Sequence, residues 1–424
     1  MVIFDKYSLI DEETINGARD TRLQALILAG GLGKRMGILC HARPKPILPF
    51  ACRFRIIDFT LSNCIHSGIK DIALVVDHQR RQMADYVSEW NQINSSGSSL
   101  SILEPKYGSY GGTADAIYQN IDWIQANSAE ATLILAGDHV YRMDYREMLE
   151  FHKKVGADAT IGVVSIPLKQ AYRFGIVTVD EQQRIVDFVE KPRRATSNLA
   201  SMGIYIFSTR FLIEHLVEDS RNLSSNHDFG HTIIPAMVKQ HNVFAYKFQE
   251  YWQDIGTVEA FYGTNMELIR KLPSLSLNGN WPIMTNTRNL VLPKPISNGN
   301  VSNSLIGEGC SIDGIVENCI LFPGVVVKKH ATVRNSIVMS NAIIGSYTTV
   351  DHSILDEEVE LGEFCYIGYG DRPTEKEKGV TVLGRGVKIS DYSAVHYNYK
   401  NNYKIPANPG VLVSTAINLK AYHV

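Results

Sequence analysis

Short apolar runs alternate with amphipathic stretches from residue 22 to about residue 265. "LQALILAG", "DIALVV", "ATLILAGD" and "ATIGVVSI" are of strand length and uninterrupted, the pattern of strands buried on both faces. Between them lie helix-like stretches such as "GGTADAIYQNIDWIQANS" and "DYREMLEFHKKVG". This rhythm predicts an α/β unit, a largely parallel sheet with helices on both faces. "GIVTVDEQQRIVDFVEK" reads as a hairpin with a polar turn near Asp180 to Gln183. Ligands of such sheets sit outside the carboxyl ends of the strands. One rim is therefore predicted to hold the glycines after the first run, Asp138 after "TLILAG", and whatever follows Val75.

The pattern changes near residue 270. "KLPSLSLNGNWPIMTNTRNLVLPKPISNGN" is rich in Pro, Asn and Ser, as a linker is. Beyond it apolar residues recur at six-residue steps: Leu321, Val327 and Val333, then Val338, Ile344 and Val350, then Leu355, Leu361 and Ile367. Such a period suggests coils of a parallel β-helix, each burying its apolar residues on the next. The phase slips between triplets, and Tyr366 to Gly379 is expected to break the repeat as a loop. The expected organisation is an N-terminal extension over 1–21, the α/β unit over 22–268, a linker over 269–300 and the β-helix over 301–424.

"ALILAGGLGKRM" carries the first candidate chemistry. Glycines after a buried strand let backbone pass close to a ligand. Exposed amides there form an anion-binding concavity, to which a following helix N-terminus would add a favourable dipole. Lys34 and Arg35 add cations. The turn fits neither the dinucleotide fingerprint, which wants glycine where Met36 stands, nor the P-loop, which ends Gly-Lys-Ser/Thr. Asp138 in "LAGDHVY" and Asp254 in "YWQDIGT" are candidate ligands for a hard cation. Lys191 beside Glu190 suits a sugar phosphate. Gly112 and Thr113 start a helix and offer a second backbone-rich place for a base or phosphate. "HDFG" at His227 to Gly230 is like a kinase motif, but no kinase catalytic loop accompanies it. Together these point to nucleotidyl transfer onto a phosphorylated acceptor, with a divalent metal between phosphates.

Composition narrows the classes. The chain has 424 residues, 45% of them hydrophobic and 20% charged, as in soluble globular proteins of more than one domain. A formal net charge of −2 gives no footprint for nucleic acid. No apolar stretch approaches a membrane span, and the polar, acidic start lacks the features of a signal peptide. Six scattered cysteines without Cys-x-x-Cys pairs argue against zinc and against a disulfide scaffold. A cytoplasmic protein with reduced thiols is expected.

"LAGGLGKRM" with "PKP", "FRIIDFTLSNCIHSG", "GGTADA", "LAGDHVY", "FVEKP", "ASMGIYIF", "NHDFG" and "YWQDIGT" follow one another in an order and spacing that resemble the ADP-glucose pyrophosphorylases, the bacterial-type glucose-1-phosphate adenylyltransferases. The resemblance spans nearly the whole chain. It implies a Rossmann-like nucleotidyltransferase domain followed by a left-handed parallel β-helix, an ATP- and Mg²⁺-dependent reaction with glucose 1-phosphate in glycogen or α-glucan synthesis, allosteric control and a homotetramer. By the same resemblance Gly30, Gly31, Gly33, Arg35 and Lys45 would hold the triphosphate, with Arg35, Lys45 and Asp138 catalytic. Gly112 and Thr113 would lie by the nucleoside, and Asp138 and Asp254 would bind Mg²⁺. Tyr110, Gly175, Glu190, Lys191, Ser201, Tyr205 and Trp252 would line the glucose 1-phosphate site.

The chain departs from that pattern at several places. Lys34 and Met36 replace the usual Thr and Leu. Gly111 stands where Arg is frequent, Val76-Asp77 where Thr-Gln is common, and Ala42 where some members carry an activator-linked Lys. Arg43, Arg53, Arg80 and Arg81 remain as anion contacts or as solvated surface. Two other functions stay open: a sugar nucleotidyltransferase using another nucleotide, and a catalytically weak regulatory subunit of a hetero-oligomer.

Overall fold

The computed structural model describes residues 23–93, 97–270, 275, 277, 281–285, 295–369, 379–396 and 417–418. The N-terminal extension and most of the expected linker lie outside these residues. The chain divides into two compact units. One comprises Ile57–Trp252 with the stretch ending at Gly31, the other Leu32–Ile56 with the chain from Gln253 onward.

In the first unit all four expected strands form, as Leu23–Leu28, Asp71–Val75, Ala131–Ala136 and Ala159–Ser165. Leu23–Leu28 pairs in parallel with both Asp71–Val75 and Ala131–Ala136, and Asp71–Val75 continues in parallel to Ser99–Leu103. Ala25, Leu26 and Ile27 are fully buried, which explains the unbroken apolar run. From Leu23–Leu28 the chain builds outward to Ser99–Leu103, then returns to the other side at Ala131–Ala136. The order of strands thus reverses at the first strand, the switch point where such sheets bind ligands.

The far flank of the sheet is antiparallel. Leu199–Ser208 pairs antiparallel with Ala131–Ala136, Ala159–Ser165 and Gly175–Val179. The expected hairpin forms from Gly175–Val179 and Ile185–Glu190. Its turn is tied by Asp180, whose side chain accepts from the amides of Gln182 and Arg184. The long helix expected after Gly112 forms as two, Thr113–Tyr118 and Ile121–Ala126. At the break, the Asn120 side chain donates to the Ala116 carbonyl and to the Tyr110 hydroxyl, competing with the helical ladder.

The second unit carries three sheets of short strands, parallel except where Ile417–Asn418 pairs antiparallel with Ser393–His396, the faces of a β-helix. Each apolar residue of the six-step pattern is buried, and each triplet lies in register with the next. Leu321 pairs Val338, which pairs Leu355; Val327 pairs Ile344 and Leu361; Val333 pairs Val350 and Ile367. In this stretch one coil is seventeen residues, two steps of six and one of five, which accounts for the phase slip; the coil before it is fifteen, as Leu305 pairs Ile320. The repeat also runs past Tyr366: Tyr366–Tyr369 is a strand that pairs Ala394 and Val395 of the following coil. The rest of the expected loop, positions 370–378, lies outside the described residues.

Side-chain columns run up the corners of the coils. Asn303 donates to Asn318, Asn318 to Asn335, and Asn335 to Asp351. Asn303, Asn318 and Asn335 have positive φ, which Asn tolerates better than most residues. At another corner Tyr347, Phe364 and Tyr392 stack with centroids 4.8 and 5.0 Å apart.

Ile344 sits mid-column with no exposure. Ile344→Ala is expected to destabilise by about 2–5 kcal/mol, the range for truncating a buried aliphatic residue. Urea unfolding followed by circular dichroism measures this, and a loss under about 1 kcal/mol would contradict a close-packed coil interior.

Candidate active site

In the first unit the rim is set by the ends of the parallel strands. The Ala29 amide donates to the Val75 carbonyl and the Gly137 amide to the Leu28 carbonyl, locking three strand ends together. The glycines of the turn differ in purpose. A Cβ on Gly30 would lie 2.9 Å from the Asp77 amide nitrogen, so its lack of a side chain admits the neighbouring strand end. Gly31 has nothing within 4 Å, which leaves backbone open for close approach by a ligand. Asp138 stands two residues past the end of Ala131–Ala136, one-third exposed, with its carboxylate 3.6 Å from His139 Nε2.

A second group of expected residues gathers on the antiparallel flank. Gly175 pairs Glu190 across the hairpin. A Cβ on Gly175 or on Gly230 would each lie 2.8 Å from Glu190 Oε2, so two glycines make room for one carboxylate. Lys191 Nζ donates to Glu190 Oε1 at 2.6 Å. Ser201 Oγ donates to the Tyr205 hydroxyl at 3.4 Å across a bulge whose Gly203 has φ 67°. Burial pushes the Tyr205 phenol up, Ser201 opposes that, and the charges of Glu190 and Asp228 add to it. Trp252 packs edge-on against Phe174 and His139. Its indole Nε1 is buried and has no hydrogen-bond partner among the described residues.

At the Thr113–Tyr118 helix start the Ala114 and Asp115 amides are taken, both donating to the His227 carbonyl. Gly112 is required by that contact, since a Cβ would collide with the carbonyls of Asn226 and His227. Tyr110, expected with the sugar-phosphate group, has Asn120 and the Leu103 carbonyl as hydrogen-bond partners. Burial raises its phenol, Asn120 opposes this, and the charges of Asp77, Arg80 and Glu104 also act on it.

Sequence reasoning missed Asp228. Its carboxylate accepts from Thr113 Oγ1 at 2.9 Å and from the His231 amide at 3.0 Å. Burial acts to raise its pKa, but bonds from the His231 side chain and amide and from Thr113 outweigh it and hold it below the ordinary carboxylate value. The motif "HDFG" was the available signal. A kinase comparison was the wrong frame for it, since its residues serve the helix start some 115 positions earlier.

In the second unit, Gly33 has φ 58°, and a Cβ there would lie 3.0 Å from the Cys40 sulfur. The stretch after it is a 3₁₀ segment, Lys34–Cys40, broken at Gly37. The expected α-helix dipole behind the turn is therefore absent. Lys45 is buried, with Nζ 4.0 Å from Asp254 Oδ1. A Cβ on Gly256 would lie 2.7 Å from Asp254 Oδ2 and 3.2 Å from Arg35 Nη2. Arg35, Lys45 and Asp254 thus meet around Gly256. Arg43, expected at the surface or on an anion, is buried and donates to Asp356 and Glu357. Among the described residues no three His, Cys, Asp or Glu side chains form a ready-made metal cluster. The six cysteines are buried and outside any disulfide, and no described helix is long and apolar enough to cross a membrane.

A mixed, mostly parallel sheet with a glycine turn and rim carboxylates, followed by a parallel β-helix, is the architecture of sugar nucleotidyltransferases. The nucleotidyl transferase family pattern matches residues 24–271, and a GlmU-like C-terminal hexapeptide pattern matches residues 289–396, the class of left-handed parallel β-helices. Glucose-1-phosphate adenylyltransferase of Pseudothermotoga lettingae is 42% identical over 74% of this chain and 76% of its own length. That of Clostridium acetobutylicum is 44% identical over 73% of this chain and 84% of its own. That of Acetivibrio thermocellus is 41% identical over 73% and 75%. The chain belongs to the glucose-1-phosphate adenylyltransferase family.

The two kinds of glycine separate experimentally. Gly112→Ala is expected to destabilise by about 1–3 kcal/mol through overpacking. Gly31→Ala should leave stability within about 0.5 kcal/mol. Thermal melting of both variants checks this, and equal losses would refute the distinction.

Proposed function

We propose that the chain transfers the adenylyl group of ATP to α-glucose 1-phosphate, giving ADP-glucose and pyrophosphate. Within the geometry, the observation that carries this is the Glu190–Lys191 pair set between Gly175 and Gly230, with Phe174 beside it packing against Trp252, whose buried Nε1 has no partner among the described residues. A carboxylate, a cation and an unsatisfied N–H suit a molecule that is both polyhydroxylated and anionic.

In the reaction a phosphate oxygen of glucose 1-phosphate attacks the α-phosphorus of ATP. That P–O bond forms as the bond to the β-phosphate breaks, and pyrophosphate leaves with the bonding electrons. The attacking oxygen is already ionised at neutral pH, so no general base is needed. Catalysis is positioning and charge stabilisation. Arg35 and Lys45 offset charge on the departing pyrophosphate. The open backbone at Gly31 and the turn at Gly33 approach the phosphates, while Gly112 and Thr113 lie by the nucleoside. Lys191, Glu190, Ser201, Tyr205, Trp252 and Asp228 hold the sugar phosphate beside Gly175. Asp138 and Asp254 are hard oxygen donors that fit Mg²⁺, an ion that needs only one or two carboxylates beside substrate phosphates. When bound, it supplies charge neutralisation and orientation of the phosphate oxygens.

Glycogen or α-glucan synthesis in the cytoplasm and a homotetramer belong to the same reading. Allosteric control is expected to be weak toward sugar bisphosphates. Ala42 offers no charge, and Arg43 already serves Asp356 and Glu357. Fructose 1,6-bisphosphate should raise the rate by less than about tenfold at subsaturating ATP, a coupling below ~1.4 kcal/mol.

The direct test is pyrophosphate release by the purified chain with ATP, glucose 1-phosphate and Mg²⁺. Asp138→Asn should lower kcat at least about a hundredfold with smaller changes in KM. Lys191→Ala should raise KM for glucose 1-phosphate and largely spare that for ATP. Near-normal kcat in the first variant, or equal KM changes in the second, would remove those residues from these roles.

A further inference from the structure

We propose that Asp219 is a positioning residue for the sugar phosphate: without touching substrate it grips His227 at two points, and so sets where the Asp228 carboxylate stands. The inference rests on the adenylyltransfer reading above and adds a residue which that reading does not contain.

The grip is built at the end of one helix. Asp219 belongs to the last turn of Thr209–Ser220 and is nine-tenths buried. The chain then loops through solvent, with residues 221–224 and Asn226 exposed. The Asp219 carboxylate holds the far side of that loop. Its Oδ1 accepts from Ser225 Oγ at 2.5 Å, and its Oδ2 lies 2.8 Å from His227 Nδ1. An ionised carboxylate only accepts, so Nδ1 carries the proton and donates. Ser225 Oγ in turn accepts from the His227 amide at 2.9 Å. His227 is held twice, by its ring directly and by its amide through Ser225.

That double hold meets a need. His227 has φ 49°, a conformation uncommon outside glycine that persists where the surroundings over-determine it. Two things depend on it. The His227 carbonyl accepts both amides at the Thr113–Tyr118 start. The chain leaving His227 delivers Asp228, whose carboxylate is 2.9 Å from Thr113 Oγ1. A Cβ on Gly230 would lie 2.8 Å from Glu190 Oε2 and 3.5 Å from Asp228 Oδ1, so the two carboxylates border the same glycine. A relaxation of His227 toward ordinary φ would carry Asp228 off Thr113 and away from Glu190.

Other bonds limit how far the disturbance spreads. Asp228 keeps the His231 amide as a donor, so loss of Asp219 displaces the carboxylate rather than removing it. The Thr113–Tyr118 helix keeps its packing on Thr209–Ser220, and Thr113 Oγ1 keeps the bond from the Phe229 amide. The effect falls on the sugar-phosphate side more than on the nucleoside side.

The test is steady-state pyrophosphate release by the full chain with ATP, glucose 1-phosphate and Mg²⁺. It compares wild type, Asp219→Ala, Asp219→Asn, Asp228→Ala and the double variant of Asp219→Ala with Asp228→Ala, each checked for folding by circular dichroism. Asp219→Ala should raise KM for glucose 1-phosphate at least about tenfold and that for ATP less than about threefold. Asp219→Asn keeps one acceptor oxygen and should fall between wild type and Asp219→Ala. The coupling with Asp228 is the readout that a merely structural residue would not give. In the Asp228→Ala background, Asp219→Ala should change KM for glucose 1-phosphate by less than about twofold, because a residue that acts through another is not additive with it. A full effect in both backgrounds, equal changes in the two KM values, or a rise under about threefold overturns the proposal. Where Asp219→Ala alone fails to fold, Asp219→Asn takes its place in the cycle; failure of both makes Asp219 structural and overturns the proposal too. A wild-type chain without turnover defeats the adenylyltransfer reading instead. Calorimetric titration of glucose 1-phosphate into wild type and the same variants then judges Asp219 by the same cycle, and no binding to wild type overturns both.

Discussion

The first strand has no free side. Leu23–Leu28 is paired in parallel on both edges and buried on both faces, so its backbone groups are satisfied and no water reaches them. Chemistry can enter only where the ladder stops. Three segments stop together at that point: Ala29 to Gly31, Val76 to Asp77, and Gly137 to Asp138. Their mutual amide bonds hold the rim. The carboxylates at positions 77 and 138 are therefore presented by the same rigid element, which is what precise placement of reacting groups requires.

The antiparallel flank solves a different problem. A sugar phosphate asks for several polar groups from segments distant in the chain. On the proposed reading the hairpin offers Glu190 and Lys191, the bulged strand at Gly203 offers Ser201 and Tyr205, and the His227–Gly230 segment offers Asp228. One carbonyl, that of His227, satisfies two amides at the Thr113–Tyr118 helix start and so fixes Asp228 against Thr113. Glycine at 112, 175 and 230 marks backbones that must come closer than a methyl group allows.

Charge in the second unit is balanced internally. Burial pushes the Asp356 carboxyl up while Arg43 pulls it down. Breaking one member of a buried pair leaves its partner uncompensated, whereas the intact pair contributes little net stability. Arg43 is thus better understood as anchoring the Leu32–Ile56 stretch onto its own β-helix than as an exposed anion contact. Lys45 and Arg35 have a different setting, since both gather at Asp254 around Gly256.

The sequence by itself determined the strands, the hairpin and the six-residue repeat, because each depends on local periodicity and on burial of individual residues. Leu321, Val327 and Val333 announce a coil since every one of them must be dry. The motifs likewise marked Asp138, Lys191 and the glycine turn. Tertiary structure alone decided the rest. That the phase slip is a five-residue step within one coil shows only in the pairing of successive coils. The helix expected after Gly33 gave way to a 3₁₀ segment because Gly37 breaks it. Asp228 acquired its place only when His227 met a helix start more than a hundred residues away. Hydrophobic pattern reports which residues leave water; which polar groups then meet depends on contacts between segments that no local pattern records.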